Sequence, residues 1–268
     1  MADERAALQG GADGGGKPPA RAAFRFYAEL NNFLSPSYRR RRFVHPCARD
    51  ATVKHMIEAL GVPHTEVGLI LVDGTPALFE YRLQDGDDVS VYPAFTGLDP
   101  GPGLSLRPEP GFGWRFIADA HLGLLARRLR MLGFDTLYRN DYDDAEVARI
   151  SAEEERVALT RDRDLLIRKE IVYGCYLHAR GGLAQVAEVL GRYRLANQVR
   201  MFSRCMVCNG PLHPVEKGMV AHRVPPRSRA AHEHFHQCGG CGQVYWEGSH
   251  AGRMREQMRS LLGGPPYG

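Results

Sequence analysis

The sequence predicts an α/β protein of three units, in which a parallel-sheet domain lies between a small β-rich domain and a cysteine-containing module. In the middle of the chain, short apolar segments alternate with amphipathic helical segments, which favours a parallel sheet with helical crossovers. A stretch dense in Pro and Gly before residue 113 is typical of a linker, and Cys, His and Gly replace the alternating pattern after residue 201. We therefore expect units at 21–98, 113–200 and 201–262, a linker at 99–112, a disordered tail at 1–20 and a short tail at 263–268.

Composition places the 268-residue chain among ordinary globular proteins, with 44% hydrophobic and 25% charged residues. No apolar run approaches the roughly 18–20 residues of a membrane helix, so we expect no membrane partner. The N-terminal segment is rich in Gly and Ala and lacks the apolar stretch of a signal peptide, which predicts a cytoplasmic protein. The net charge of +4 is too small to identify a polyanionic partner by itself.

The first unit shows the order strand, strand, helix, strands that is typical of a β-grasp domain. A strand is expected at Ala23–Glu29, a helix at Val53–Leu60 that ends at Gly61, and an apolar strand at Leu69–Val72. The segment LQDGDDVSVYPA resembles the ubiquitin-like sulfur carriers, where a similar segment leads into the last strand. Those carriers need a free C-terminal Gly-Gly, whereas this chain continues into the linker. We therefore expect an interaction domain, with a protein partner, and no carrier chemistry.

The middle unit repeats a strand-helix pattern. The first helix carries Leu122, Leu125, Leu129 and Leu132 on one face and ends at Gly133, and Asp144 is expected to be the N-cap of the second. We expect strands at 115–118, 136–138, 156–160 and 172–177, and further helices at 145–154 and 183–193.

Four aspartates stand at strand ends or helix starts of this unit. Asp119 directly follows the first strand, Asp144 opens the second helix, and Asp162 and Asp164 follow the third strand in the segment TRDRD. The carboxyl ends of parallel strands share one edge of a sheet, which is where ligands bind. Carboxylates are the ligands that Mg²⁺ and Mn²⁺ prefer, and a cation would relieve their mutual repulsion. The pattern predicts a metal-dependent site, although each aspartate could instead cap a helix or bind a neighbouring arginine.

The run FIADAHLGLLARRLRMLGFDTLY, followed by DAEVARISAEEERVALTRDRDLL, resembles the Mut-seven C-terminal ribonuclease family, a branch of the PIN-like nucleases. The resemblance covers roughly residues 113–250, and a ubiquitin-like domain ahead of the nuclease is a known arrangement in the family. It implies a Mg- or Mn-dependent ribonuclease that hydrolyses RNA phosphodiester bonds with metal-activated water. The implied catalytic residues are Asp119, Asp144, Asp162 and Asp164, of which Asp119, Asp162 and Asp164 hold the metal. Asp143 competes with Asp144, because three aspartates occur in that loop.

Four arginines are candidates to hold RNA phosphates, although an exposed arginine is more often only a solvated charge. They are Arg127, Arg130, Arg161 and Arg163. The main alternative function is a non-catalytic RNA- or ribosome-binding protein that uses its zinc module for binding and its β-grasp domain for docking a protein.

Two CxxC pairs, Cys205/Cys208 and Cys238/Cys241, predict a structural zinc site of the zinc-ribbon type. Glycines after each pair permit the tight turns that aim backbone amides at thiolates. Zinc is favoured over disulfides because the chain is expected to be cytoplasmic. Cys47 and Cys175 have no partner at metal-binding spacing and are expected to be buried.

Overall fold

The computed structural model of the protein describes residues 20–94, 106, 113–246, 248, 252–253 and 256–257. Apart from residues 20 and 106, the predicted tails and linker lie outside these ranges, as does most of the chain after residue 248. None of the helices within the described ranges is both long enough and apolar enough to cross a membrane.

The N-terminal domain is a five-stranded mixed sheet with one helix. Its elements are β1 (Arg21–Phe26), β2 (Phe43–Pro46), α1 (Val53–Ala59), β3 (Val67–Val72), β4 (Thr75–Pro76) and β5 (Asp88–Pro93). The strand order is β2-β1-β5-β3-β4, in which β1 and β5 run parallel and the other neighbours run antiparallel. This is the ubiquitin-like β-grasp topology, and the sequence prediction for this domain is confirmed.

Two details of this domain follow from single residues. The first strand ends at Phe26 rather than Glu29, because Ala28–Asn32 turns into a 3-10 helix. The buried Asn31 side chain holds that turn by donating to the carbonyl oxygens of Phe26 and Ala28. The helix stop at Gly61 is as expected, since this glycine adopts φ +97° directly after the helix cap.

The middle domain is a four-stranded, fully parallel sheet. Its elements are β6 (Arg115–Ala118), α2 (Gly123–Met131), β7 (Asp135–Leu137), α3 (Asp144–Glu153), β8 (Val157–Thr160), α4 (Arg163–Ile167), β9 (Gly174–Tyr176) and α5 (Gly182–Arg192). The strand order is β7-β6-β8-β9. The chain therefore reverses its direction of travel across the sheet between β6 and β8, which creates a crevice at their carboxyl ends.

Helices cover both faces of this sheet. Phe116 and Leu159 point towards α2 and α5, while Ile117 and Ala158 point towards α3 and α4, as alternate strand residues must. The predicted leucine stripe of α2 is buried in the first of these two cores. The domain is thus a three-layer α/β/α structure, and the predicted α/β class with a parallel sheet is confirmed.

The C-terminal module is a three-stranded antiparallel sheet in the order β10-β11-β12, with two short helices in the segment between the CxxC pairs. Its elements are β10 (Leu212–Val215), α6 (Lys217–Val220), α7 (Pro226–Ala231), β11 (Phe235–Cys238) and β12 (Val244–Trp246). Four buried apolar side chains form its core, namely those of Val220, Val224, Phe235 and Val244.

The N-terminal domain covers the β9 edge of the parallel sheet. Glu66, whose side chain is 1% exposed, accepts a hydrogen bond from the Tyr176 amide at 2.8 Å and forms an ion pair with Arg192 at 2.7 Å. The His64 imidazole also lies 2.9 Å from the carbonyl oxygen of Ile171. Burial opposes the charge of Arg192, but Glu66 outweighs it and holds the pKa of the guanidinium well above its ordinary value. These contacts supply hydrogen-bond partners for backbone groups that an edge strand would otherwise leave unpaired.

The C-terminal module covers the opposite edge, β7. Asn209, which is 7% exposed, accepts a hydrogen bond from the Thr136 amide at 3.0 Å and donates one to Asp135 at 2.7 Å. Its side-chain amide therefore pairs with β7 much as another strand would. Asp135 also pairs with Arg156 and Arg204, and together these partners outweigh burial and lower the pKa of its carboxyl group.

Candidate active site and metal centre

Asp119 and Asp162 lie at the carboxyl ends of the adjacent strands β6 and β8. The Thr160 hydroxyl donates to Oδ2 of Asp119 at 2.7 Å and accepts a hydrogen bond from the Asp162 amide at 2.9 Å. The Asp119 amide continues the strand ladder by donating to the Leu159 carbonyl at 3.0 Å. Because Thr160 is fully buried, it fixes these two aspartates relative to each other at the crevice of the sheet.

Asp144 faces the same place, although its predicted role as an N-cap is wrong. The N-cap of α3 is Asp143, which accepts a hydrogen bond from the Glu146 amide at 2.7 Å, while the Glu146 side chain accepts one from the Asp143 amide. This capping box makes Asp144 the first helical residue and leaves its carboxylate out of the cap. Burial and the negative charges of Asp162 and Asp119 raise the pKa of Asp144, against the opposing charge of Arg168. The charges of Asp162 and Asp119 therefore act on Asp144, which agrees with a place at the same edge of the sheet.

Asp162 and Asp164 also carry out the structural tasks weighed from the sequence. Asp162 caps α4 by accepting a hydrogen bond from the Asp164 amide at 2.8 Å. Asp164 is 77% exposed and accepts a hydrogen bond from the Arg163 guanidinium at 3.3 Å. Their place in the chain thus has a local explanation, and a metal-binding role would be additional to it.

The spacing of the four edge aspartates (Asp119, Asp144, Asp162 and Asp164) limits how they could hold a cation. Within the described part of the chain, the four cysteines are the one set of three or more metal-binding side chains whose ligand atoms all lie within 4.8 Å of one another. The edge aspartates are more widely spaced than that. At that spacing, a cation shared by them would have to keep several of its water molecules, as Mg²⁺ does in proteins, rather than be enclosed by carboxylates.

The four candidate arginines divide into two groups. Arg127, Arg161 and Arg163 are exposed, and Arg163 stands between Asp162 and Asp164 at the edge. Arg130 is 4% exposed, so its assignment as a phosphate contact is wrong. Its Nε donates to the Thr136 carbonyl oxygen at 2.8 Å, and its Nη1 donates to those of Met206 at 3.3 Å and Val207 at 2.7 Å.

Sequence reasoning missed three residues at this edge: Thr160, which positions two aspartates, Arg168, whose charge acts on Asp144, and His178. His178 follows β9 and its ring nitrogen Nε2 is buried without a hydrogen-bond partner in the described structure. Thr160 directly precedes the TRDRD acids and could have been recognised from its place at the strand end. Nothing in the sequence pattern identifies the other two.

The four cysteines are positioned to bind a metal ion. The Sγ atoms of Cys205 and Cys241 are 3.6 Å apart, and those of Cys208 and Cys238 are 3.3 Å apart. A tetrahedral zinc site with Zn–S bonds of about 2.3 Å requires sulfur atoms about 3.8 Å apart, so the arrangement needs little adjustment. The backbone amides of Gly240 and Cys241 point at the Cys238 sulfur from 3.3 and 3.5 Å.

The surroundings shift the pKa values of two of these thiols in opposite directions. Burial disfavours the charged form of Cys238, but the two amides and the neighbouring thiols outweigh it and lower its pKa to about 7. A hydrogen bond from the Gln243 amide favours the thiolate of Cys241, but burial and hydrogen bonds with the neighbouring thiols outweigh it and raise its pKa to about 12. The Tyr245 hydroxyl lies 3.1 Å from the Cys205 sulfur and accepts a hydrogen bond from the Met206 amide. Donor chemistry and geometry both fit a tetrahedral soft metal ion.

Comparison with known proteins supports this organisation. Residues 114–258 match the family model described as the Mut7-C RNAse domain, and residues 20–99 match the model described as Mut7-C ubiquitin. No curated protein matches the chain. Among solved structures, the chain is similar to SAMP1 from Haloferax volcanii at 18% identity, over 30% of this chain and 100% of that one, with a TM-score of 0.24. With more than half of its length in the first match, the chain belongs to the Mut7-C RNAse domain family and carries the Mut7-C ubiquitin domain ahead of it.

Proposed function

We propose that this protein is a ribonuclease that hydrolyses RNA phosphodiester bonds at the carboxyl edge of its parallel sheet, with Mg²⁺ or Mn²⁺ as cofactor. The observation that carries the proposal is the link from Asp119 through Thr160 to Asp162, with Asp144 near enough for the charges of both to raise its pKa. Membership of the Mut7-C RNAse domain family indicates a nuclease. A scaffold gains nothing from like charges placed at one crevice, whereas phosphodiester hydrolysis requires them to hold a cation.

Each edge aspartate has a distinct part in this proposal. Asp119, Asp162 and Asp164 hold the cation, directly or through its water molecules, and Asp144 completes the set. When bound, the cation supplies activation of water and neutralises charge on the phosphoryl group. Thr160 keeps Asp119 and Asp162 in place through its two hydrogen bonds. Burial and the negative charges of Asp162 and Asp119 raise the pKa of Asp144, and a bound cation would offset that repulsion.

RNA is held beside this site by arginines. Arg161 and Arg163 flank Asp162 in the chain and are exposed, which suits them to contact phosphates on either side of the scissile bond. Arg127 extends the basic surface along α2. Its charge contributes to the affinity for RNA rather than to recognition of the RNA sequence.

Zinc has a structural role in this proposal. The four cysteines hold one Zn²⁺ with a complete tetrahedral set, which leaves no position for water or substrate. Zinc therefore stabilises the C-terminal module and, through Asn209 and Arg130, its attachment to the β7 edge.

The experiment that tests the proposal is cleavage of labelled mixed-sequence RNA with Mn²⁺ or with EDTA. We expect wild-type cleavage that requires the metal, loss of at least 100-fold in rate for Asp119→Asn, and retained cleavage for the matched control Asp141→Asn. Asp141 belongs to the same acidic loop as Asp144 but is exposed and paired with Arg139. Full activity in Asp119→Asn would contradict the site assignment.

One observation favours a second candidate, a non-catalytic RNA-binding protein. The edge aspartates do not approach one another as closely as the cysteines do. Three of them, Asp119, Asp162 and Asp164, already serve as caps or arginine partners. This alternative predicts RNA binding that weakens steeply with salt and no cleavage in any metal.

A further inference from the structure

The N-terminal domain reaches the same edge of the sheet as the aspartates. The Phe33 ring packs edge-on against Tyr176, with ring centroids 4.9 Å apart, and against His178 at 5.6 Å. Tyr176 is the last residue of β9 and is the register partner of Thr160 in β8. Thr160 donates a hydrogen bond to Asp119, so Tyr176 and the Phe33 ring packed on it lie next to the carboxyl edge of the sheet.

A residue of the carboxyl edge also contacts the N-terminal domain. Arg163 lies in the chain between Asp162 and Asp164, and its guanidinium packs on Gly61. A Cβ atom placed on Gly61 would lie 3.2 Å from Nη1 of Arg163 and 3.2 Å from the Phe33 carbonyl oxygen. The N-terminal domain is therefore fixed at the site both by these contacts and by the buried pair of Glu66 and Arg192.

A run of arginines begins next to this contact. The segment 35–42, here called the basic loop, starts two residues after Phe33 and contains Arg39, Arg40, Arg41 and Arg42. The Arg39 guanidinium donates to the carbonyl oxygen of Leu34 at 2.9 Å, which anchors it one residue from Phe33.

The basic loop is held in a fixed conformation. The Arg40 amide donates to the buried Asn31 side chain at 2.6 Å, and Arg40 adopts φ +57°, a conformation that L-residues rarely take. Such conformations persist only where the surroundings enforce them, and they concentrate at functional sites.

Most of the charge in the basic loop is not neutralised. Arg42 pairs with Asp88 at 3.2 Å, but Arg39, Arg40 and Arg41 are exposed and form no ion pair within the described residues. Exposed guanidinium groups held in place suit bidentate recognition of phosphate.

We propose that the basic loop binds the backbone of RNA that enters or leaves the carboxyl edge, so that the N-terminal domain forms part of the substrate-binding surface. This inference rests on the proposed function in taking RNA as the substrate. RNA is favoured over a protein partner because the basic loop adjoins the edge that carries Arg161 and Arg163, and because the domain is fixed to that edge.

The test measures binding of a labelled single-stranded RNA to the zinc-loaded full chain without Mg²⁺ or Mn²⁺, which separates binding from cleavage and keeps the C-terminal module folded. The variant is Arg40→Gln with Arg41→Gln, two exposed side chains that form no hydrogen bond or ion pair within the described residues. The control is Arg21→Gln with Arg49→Gln, since Arg21 pairs with the far end of β2 and Arg49 follows that end. Each lost phosphate contact should lower the slope of log K against log salt by about 0.7, so the variant should lose about 1.4 and bind at least 10-fold more weakly at low salt. The control should bind within about twofold of wild type, as expected for charges distant from the phosphates.

Wild-type affinity and slope in the Arg40/Arg41 variant would overturn the inference and leave the basic loop to an acidic protein partner. Photo-cross-linking of thiouridine-labelled RNA gives a second measure, with residues 35–42 expected in a cross-linked peptide and their absence counting against the inference. If the wild type binds RNA through the basic loop but never cleaves it, the proposed function fails while this inference stands. If the wild type binds no RNA, both are overturned.

Discussion

Asn209→Ala should destabilise the junction between the C-terminal module and the parallel sheet by about 2–4 kcal/mol, the sum of an orphaned donor and a strained backbone. Asn209 accepts a hydrogen bond from the Thr136 amide, and Thr136 is fully buried, so the substitution leaves a backbone donor without a partner. A buried unsatisfied donor costs about 1–3 kcal/mol. Asn209 also adopts φ +70°, where alanine is disfavoured by about 1 kcal/mol more. Asp135 keeps Arg156 and Arg204, so loss of its bond to Asn209 adds little.

Thermal unfolding of the zinc-loaded protein measures this cost. For a unit of about 150 residues, 1 kcal/mol corresponds to roughly 2–4 °C in Tm, which predicts a fall of roughly 5–15 °C. The matched variant Asn209→Gly removes the same hydrogen bonds but tolerates the positive φ. It should recover about 1 kcal/mol of the loss.

A Tm for Asn209→Ala within about 2 °C of wild type would refute the reasoning. It would mean that the substitution lowers the free energy of unfolding by less than about 1 kcal/mol, because the Thr136 amide has found another partner. A glycine variant less stable than the alanine variant would refute the backbone part alone. Either result would show that the module is not joined to β7 in the way its hydrogen bonds indicate.

Three further predictions concern other parts of the molecule. Asp144→Asn should abolish metal-dependent cleavage, whereas Asp143→Asn should keep it because asparagine is also a good N-cap. Single-turnover cleavage rates measure both variants. An active Asp144→Asn beside an inactive Asp143→Asn would contradict the assignment. Glu66→Gln should destabilise the chain by about 3–5 kcal/mol, because the largely buried Arg192 is left beside a neutral side chain. An unchanged denaturant midpoint would contradict this. The protein should contain one zinc per chain by metal analysis and lose it in Cys238→Ser, while a second tightly bound zinc or none at all would count against the four-cysteine site.

Local sequence patterns were enough to predict much of the fold. The leucine stripe of α2, the glycine stops at Gly61 and Gly133, and the alternation of apolar strands with helices are short-range signals, and the structure agrees with them. The helix cap was mispredicted although a signal for it was present. Any aspartate of that loop can cap a helix, but Asp143 alone has Glu three residues later, which completes a capping box.

Contacts between the three units could not be read from periodicity. Arg130 is adjacent in sequence to the apolar stripe of α2, and it is buried because the C-terminal module supplies carbonyl oxygens from residues 206 and 207. Glu66 is 1% exposed because Arg192, 126 residues later, neutralises it. A charged side chain becomes buried when its partner does, and that partner is fixed by tertiary structure.

The central claim is that the carboxyl edge is a metal-dependent nuclease centre. The most direct measurement is a Mn²⁺ titration of RNA cleavage by the wild type and by the double variant Asp162→Asn, Asp164→Asn. Asparagine preserves the cap at the start of α4 while removing both negative charges. We expect the wild-type rate to rise with Mn²⁺ to saturation and the variant to show no cleavage above background with its Tm nearly unchanged. Cleavage that persists in EDTA, or a variant as active as the wild type, would contradict the account.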